Sequence, residues 1–465
     1  MPPTTILFLT NSELGQASVM LAVAAEVART PDSRTHLGSF SPLAPEVPDG
    51  VLFHTLPGPS MKQVFAMKGK EFLPRHRPGL TGTPEGFAEA YSRVLAPWDE
   101  ADFFSIFDAC CQLLKDIHPS LVVLDPLLGA AYDACVFLKR RHIILTPNTL
   151  KDHATGSQPG LEGLYKLPCL GSGYSLPLGP VAALCNAYLL LALHIYGHWS
   201  VSVKRLDRAR HQRGISWRLG TISLFDDVRP DLIVLLQSVP EIDFPLTVPS
   251  NLLGCGPILP AYSPLSETHG ELAAWLNRGP TIVVNMGSHV TQAVRQAAAI
   301  LAAVVACLRR RASLQVLWKL QPADAVVPDL PAGLAARLRI VPWLPSTPAA
   351  VLTASPSILA YVHHGGSNSF HEAVAAGVPH VVCPVWLDTY DFATRVEHLG
   401  IGVCGNRGHA PEVDSAGLEQ ALEEVGFGAG VAERREKARG LAEVVGGVNA
   451  GRSIAASRVM DAARY

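Results

Sequence analysis

Residues 341–393 read VPWLPSTPAAVLTASPSILAYVHHGGSNSFHEAVAAGVPHVVCPVWLDTYDFA. The apolar run over 358–362 has the composition of a buried strand. A turn follows, His363-His364-Gly365-Gly366-Ser367, and Asn368 or Ser369 is then placed to cap a helix carrying Glu372 in its first turn. Gly377-Val378-Pro379 ends that helix, and 380–383 reads as a second buried strand. In a strand, glycine turn, helix, strand unit the first helical N–H groups lack intrahelical partners, and the helix dipole favours negative charge there. The two glycines let the backbone approach a phosphate closely. His364, Asn368 and Ser369 add side-chain donors, and Glu372 is an acceptor for sugar hydroxyls. Taken alone, His-Gly-Gly before a helix is equally an ordinary capped turn.

The chain on either side repeats the pattern. Residues 6–10 read as a strand, Asn11 to Gln16 as a loop, and 17–29 as an Ala/Val-rich helix. Gly15 stands alone there, with no G-x-G-x-x-G. A helix is expected over 87–115, and a strand over 121–124 that ends at Asp125-Pro126. An acid just past a strand's C-terminal end faces the crevice where such sheets bind ligands, so Asp125 is a site candidate beside a bland role as a loop carboxylate. Strands follow over 142–145 and 232–236, and the Pro/Gly-rich stretches 41–60, 74–86 and 155–180 read as loops. Residues 239–264 carry Pro240, Pro245, Pro249, Pro257, Pro260 and Pro264, a spacing that few regular elements survive. A second α/β series begins beyond this linker. It has a strand over 282–285, a turn Met286-Gly287-Ser288-His289, a helix over 292–310, and further strands over 314–319 and 339–341. The expected fold is therefore α/β, with two doubly wound units.

Composition narrows the function. Of 465 residues 17% are charged, the formal net charge is −2, and no Lys/Arg-rich stripe is present, which argues against a nucleic-acid partner. The nine cysteines show neither C-x-x-C spacing nor a cluster with histidine, so they read as reduced core thiols with no metal site. The N-terminal apolar run lacks a basic flank and the C-terminus lacks an apolar tail, which points to a cytoplasmic protein. Residues 181–196 are nearly all apolar but fall short of the roughly 20 residues a span needs. They read as a buried or substrate-lining helix. The alternative is a peripheral membrane contact through 181–213, where 203–213 is basic. Oligomeric state is not legible.

Trp343, Pro345, His364, Gly366, Asn368, Ser369, Glu372, Gly377, Pro379, Pro384 and Asp388 together resemble the donor-binding signature of the UDP-dependent glycosyltransferases of the GT-B fold. The stretch 282–288, with Gly287 and Ser288, resembles that family's glycine–serine turn, and 239–257 resembles its linker. The resemblance implies two facing Rossmann-like domains: an acceptor-binding domain over 1–240, a linker over 241–264, a nucleotide-sugar domain over 265–446, and a helix over 447–465 returning to the first domain. It implies Trp343 stacking on uracil, the Leu344 backbone reading the base edge and Glu372 holding the ribose. The diphosphate falls to Gly287, Ser288, His364, Gly366, Ser367, Asn368 and Ser369, and the sugar to Asp388 and Thr389. The resemblance implies a UDP-sugar as co-substrate, with no separate cofactor, and the apolar character of 181–196 points to a lipophilic small-molecule acceptor such as a terpenoid, sterol or polyketide. The implied transfer is inverting.

The pattern breaks at one decisive position. The family's base is a histidine after the glycine of the opening loop, and here that residue is Gln16. An amide has no useful basicity near neutral pH, and a positioned general base contributes about 10²–10⁴-fold. Asp125 is the first substitute, Glu13 the second. At the sugar end Thr389 replaces a glutamine, Phe392 an asparagine, and Ser346 the glutamine after Trp-x-Pro. Three readings follow: a transferase with a non-histidine base, the same fold turned to a non-glycosyl reaction on an apolar natural product, or a non-catalytic UDP-sugar-binding partner subunit.

Overall fold

The computed structural model describes residues 3–222, 229–288, 290, 292–321 and 332–464, so His289 of the expected turn lies outside the described residues. The chain forms two sheets in which every strand pairing is parallel. The first contains β1 (Thr4–Leu9), β2 (Ser33–Ser39), β3 (Val51–Thr55), β4 (Leu121–Leu124), β5 (His142–Thr146), β6 (Val234–Leu236) and β7 (Leu252–Gly254), in the spatial order 3-2-1-4-5-6-7. The second contains β8 (Thr281–Asn285), β9 (Gln315–Lys319), β10 (Leu338–Val341), β11 (Ile358–His363), β12 (His380–Val382) and β13 (Gly402–Cys404), in the order 10-9-8-11-12-13. Helices cover both faces, which is why strands such as β4 (LVVL) and β8 (TIVVN) are buried throughout and read as near-continuous apolar runs.

Each strand order reverses once, between β1 and β4 and between β8 and β11. At such a point the connections leave for opposite faces and open a crevice beyond the strands' C-terminal ends. The helices that matter for the site are α1 (Leu14–Ala28), α2 (Glu100–Ile117), α3 (Gly129–Phe137), α4 (Pro180–Trp199), α5 (Val201–Gln212), α6 (Val294–Arg310), α7 (Ser367–Ala376), α8 (Leu387–His398) and α9 (Ala450–Arg464). The C-terminal α9 packs on α1 through Ala455, Val459 and Met460 against Met20, Val23 and Val27. Arg452 Nε reaches Glu26 Oε1 at 2.8 Å across the same contact.

Local chemistry accounts for the departures from expectation. The helix expected over 87–115 breaks at Ala96-Pro97, and α2 restarts after Asp99, whose side chain accepts from the Asp102 N–H at 3.0 Å. Strands β2 (SRTHLGS) and β3 (VLFHT) were not expected, because β2 is polar and β3 lies inside the Pro/Gly-rich stretch 41–60 that reads as a loop. Their His36 and His54 rings stack at 5.1 Å. Strand β7 forms inside the proline-punctuated stretch by pairing with β6. Helix α1 starts at Leu14 rather than 17, which moves Gln16 from a loop into a helix's first turn.

Candidate active site

The C-terminal ends of β8 and β11 build one wall. Gly287 follows β8 with φ +83°, and a Cβ there would lie 2.4 Å from His364 Cε1. At Gly366 a Cβ would lie 2.6 Å from His364 Nε2. Both glycines are therefore needed to seat the His364 imidazole, which also packs edge-on against Trp386 at 5.6 Å. Helix α7 starts at Ser367 with Gly366 as its N-cap and no side-chain cap, so neither Asn368 nor Ser369 caps it and Glu372 sits in the second turn. The leading N–H groups of α7 thus stay available to an anion in the crevice. Ser288 is exposed beside them.

Beyond the turn the wall carries Trp343, 52% exposed, with buried Leu344 behind it. Lys319, at the end of β9, is buried; its Nζ stands 4.0 Å from the Trp343 ring centroid and donates to the Gly287 carbonyl at 2.6 Å. Glu372 lines the same space, and burial pushes its carboxyl up to about 8. Asp388, in the first turn of α8, is pushed up to about 7 by burial and by the neighbouring Asp152 and Asp391.

The opposing wall comes from β1, β4 and the start of α1. Asp125 is buried, and its carboxylate takes four hydrogen bonds: Oδ2 from Thr10 Oγ1 (3.1 Å), Asn11 N (3.0 Å) and Asn11 Nδ2 (3.1 Å), and Oδ1 from Leu127 N (2.9 Å). It ties the β1–α1 connection to the end of β4 and does not border the cleft. Glu13 does. Its Oε1 accepts from the Lys62 N–H at 2.8 Å, while Oε2 is buried with no hydrogen-bond partner among the described residues. Burial raises its pKa; the Lys62 N–H, its own backbone N–H and the Ser60 hydroxyl oppose this, and nearby Asp125 adds a smaller upward push. Gln16 also borders the cleft, its Oε1 buried and likewise without a partner among the described residues.

The two walls enclose one cleft of about 1450 Å³ that reaches from Glu13 and Gln16 to Trp343, His364, Ser369 and Glu372. Asn368 bridges it: Nδ2 donates to Ser18 Oγ (2.8 Å) and to the Leu14 carbonyl (3.2 Å), and Oδ1 accepts from Gln237 Nε2 (3.3 Å). Ser367 Oγ donates across to the Pro147 carbonyl at 2.6 Å. Every expected donor-side residue lines this cleft except Thr389. Thr389 is fully buried, its Oγ1 taking the N–H groups of Val385 (2.9 Å) and Trp386 (3.0 Å), so the expected contact from its side chain to a sugar is not available. The turn that places Asp388 consumes it.

Sequence reasoning missed Lys319, Lys151 and Asp152, which also line the cleft. Asp152 caps its own helix by accepting from Thr149 N (2.9 Å), and Lys151 is buried in an ion pair with Asp391. The rule that singled out Asp125, a polar residue just past a strand end, also fits Thr149 to Asp152 after β5. Lys319 showed itself only as a charge closing an apolar strand. Among the described residues no three His, Cys, Asp or Glu side chains converge on a metal position.

The sequence profile of the family described as UDP-glucoronosyl and UDP-glucosyl transferase matches residues 218–428, the segment that carries every strand of the second sheet. The glycosyltransferase sdnJ of Sordaria araneosa is 32% identical over 439 residues, covering 87% of this chain and 84% of that protein. The chain belongs to the UDP-glycosyltransferase family. Solved UDP-glycosyltransferase structures share its architecture. An O. sativa protein in complex with UDP matches with a TM-score of 0.63 at 17% identity, over 99% of this chain and 100% of that one. The same protein in complex with U2F and trichothecene gives 0.64. A Polygonum tinctorium UDP-glucosyltransferase capable of glucosylating indoxyl, solved with 3,4-dichloroaniline, gives 0.63 at 18% identity, over 100% of this chain and 99% of that one. This UDP-glycosyltransferase is thus a GT-B glycosyltransferase with two Rossmann-like sheets, and its cleft lies between the two switch points of its fold.

Proposed function

We propose that this enzyme transfers a sugar from a UDP-sugar to a lipophilic small molecule, with inversion and with Glu13 as the base. The observation that carries the reading is Glu13 itself. It is a buried carboxylate with one oxygen unpartnered among the described residues, on the wall opposite the helix N-terminus of α7. An unpaired buried acceptor of this kind is costly unless a ligand completes it, and an acceptor hydroxyl or carboxylic acid supplies that donor. Gln16, which also borders the cleft, orients the same group by donating from its side-chain amide to the acceptor oxygen, without taking a proton. Asp125 acts as a positioning residue that holds the connection carrying both.

In this scheme uracil stacks on Trp343, with stacking worth about 1–3 kcal/mol. Glu372 accepts from the ribose hydroxyls, and Asp388 from the sugar. The diphosphate lies on the leading N–H groups of α7, with His364 and Ser288 beside it and the Lys319 charge nearby. Glu13 takes the acceptor's O–H proton as that oxygen attacks the anomeric carbon. The bond from that carbon to the UDP oxygen breaks, and UDP leaves with the electron pair on the side where α7 stabilises it. Attack and departure on opposite faces invert the anomeric centre. Phe72, Leu73, Tyr91, Leu170, Leu190 and Leu193 make the acceptor end apolar. The trichothecene held by the O. sativa relative is the kind of molecule this end suits.

Incubation with a panel of UDP-sugars and apolar hydroxy compounds or carboxylic acids, read by mass spectrometry and NMR, tests the proposal. The expected product carries one added sugar of inverted anomeric configuration together with released UDP. Product formed without any nucleotide sugar would instead indicate a non-glycosyl reaction on the apolar substrate.

A further inference from the structure

Helix α4 presents a row of large apolar side chains to solvent. Val181, Leu184, Tyr188, Leu191, Ile195 and Trp199 follow one another at steps of three or four residues, which places them in a single stripe. Leu184 is 76% exposed, Leu191 59% and Trp199 63%. Scattered apolar residues at a surface need no explanation, but a contiguous row marks an interaction surface. Helix α4 has the 20-residue length of a span, longer than its sequence suggested, yet its other face is committed to the protein. The Asn186 side chain holds the Cys169 N–H at 2.6 Å and the Leu164 and Leu167 carbonyls at 2.9 and 2.8 Å. Leu190, Leu193 and Gly197, on that other face, line the cleft.

We infer that this stripe docks the enzyme flat on an anionic lipid bilayer. Three observations select a lipid surface over a protein partner. Tyr188 and Trp199 are amphipathic aromatics of the kind that settle at the headgroup boundary. Helix α5 continues directly from the stripe with exposed Lys204, Arg208 and His211, and Lys204 Nζ stands 4.4 Å from the Trp199 ring centroid, so positive charge borders the apolar row. Arg205 and Arg213 of the same segment are engaged by Glu100 and Asp108. Apolar exposure also continues at the edge of the cleft: exposed Leu161 and Leu164 border the cleft, and the Leu164 carbonyl is held by Asn186 on the other face of α4. A lipophilic acceptor dissolved in the bilayer then enters beside α4 without crossing water. This entry route rests on the acceptor reading above, whereas the docking surface does not.

Co-flotation of the full chain with phosphatidylcholine vesicles, with and without phosphatidylserine, tests the inference. The wild type is expected to float with the mixed vesicles, and less so with phosphatidylcholine alone or at high salt. Leu184→Glu combined with Leu191→Glu lowers vesicle partition at least tenfold and leaves turnover of a dissolved acceptor in vesicle-free buffer unchanged. Lys204→Glu with Arg208→Glu removes the dependence on phosphatidylserine. Wild-type protein that ignores both vesicle types, or a double glutamate variant that floats as the wild type does, overturns the inference. So does a vesicle-free dimer that the same variant dissociates, since the stripe would then be a contact between copies. Flotation without turnover would instead count against the acceptor reading alone.

Discussion

Glu372, proposed to hold the ribose, is loaded against the fold that carries it. Its carboxyl is raised from 4.5 to about 8 by burial, so the folded protein holds that proton more tightly than the unfolded chain does. A group with a raised folded pKa adds stability below its unfolded pKa and loses it as pH rises through the folded one. The loss here spans pH 4.5 to about 8. Glu372→Gln is therefore expected to melt higher than the wild type above pH 8, by roughly 1–3 °C. Above pH 8, where the wild-type carboxyl is ionised, it should also bind UDP about 10–100-fold more weakly, because a charge-assisted acceptor for the ribose is gone. Differential scanning fluorimetry and calorimetric titration with UDP check both halves. Equal affinity in the variant would remove Glu372 from the donor site. At this scale every residue expected at the donor site except Thr389 lines the cleft, because the box is a run of identities held by one turn. The sequence ranked Asp125 above Glu13 because a position past a strand end says nothing of hydrogen-bond saturation. Four donors surround Asp125, whereas Glu13, which borders the cleft, has one oxygen without a hydrogen-bond partner among the described residues.

The strand–turn–helix element is more than its visible face. The inner face of α7 carries His371, and His363 and His380 lie on the strands that flank the helix; all three are fully buried, with His363 Nε2 and His380 Nδ1 3.0 Å apart. Burial depresses all three, His371 and His380 to about 3. Each depressed imidazole contributes stability above its unfolded pKa of 6.5 that is lost as pH falls toward its folded value. Thermal melts should thus decline steadily from pH 6.5 downward. His371→Gln should flatten part of that decline, and an unchanged acid profile in this variant would mean that His371 is not held neutral. The element's order was legible because glycines and a proline punctuate it. Its capping was not, since Asn368 spends its side chain on Ser18 and Leu14 across the cleft, a contact 350 residues away in the chain for Ser18. Strands β2 and β3 escaped for a related reason. The polar composition of β2 is tolerated because pairing with β1 and packing of Leu37 supply what propensity does not, and β3 forms by pairing with β2 in turn.

Across the whole molecule, buried charges join the two sheets' loops. Lys151 pairs with Asp391 of α8, and Arg395 of α8 reaches Asp243 at 2.9 Å, with Asp243 also accepting from Leu150 N and Ser238 Oγ at 2.8 Å. Such pairs set geometry more than stability. They fix how the wall carrying Glu13 faces the wall carrying α7, which is what the proposed displacement across the cleft requires. Nothing in the local sequence marks these partners, because each lies far along the chain from the other. The central claim is that Glu13 on one wall takes the acceptor proton while the other wall holds the UDP-sugar. The most direct test is the comparison of turnover and UDP affinity in wild type, Glu13→Gln and Asp125→Asn over a pH series. Glu13→Gln is predicted to lose about 10²–10⁴-fold in kcat with UDP affinity unchanged. The fall in kcat/KM below the raised pKa of Glu13 should disappear with it. Asp125→Asn should lose activity while keeping that acid limb. Full turnover in Glu13→Gln, with its acid limb intact, would contradict the account.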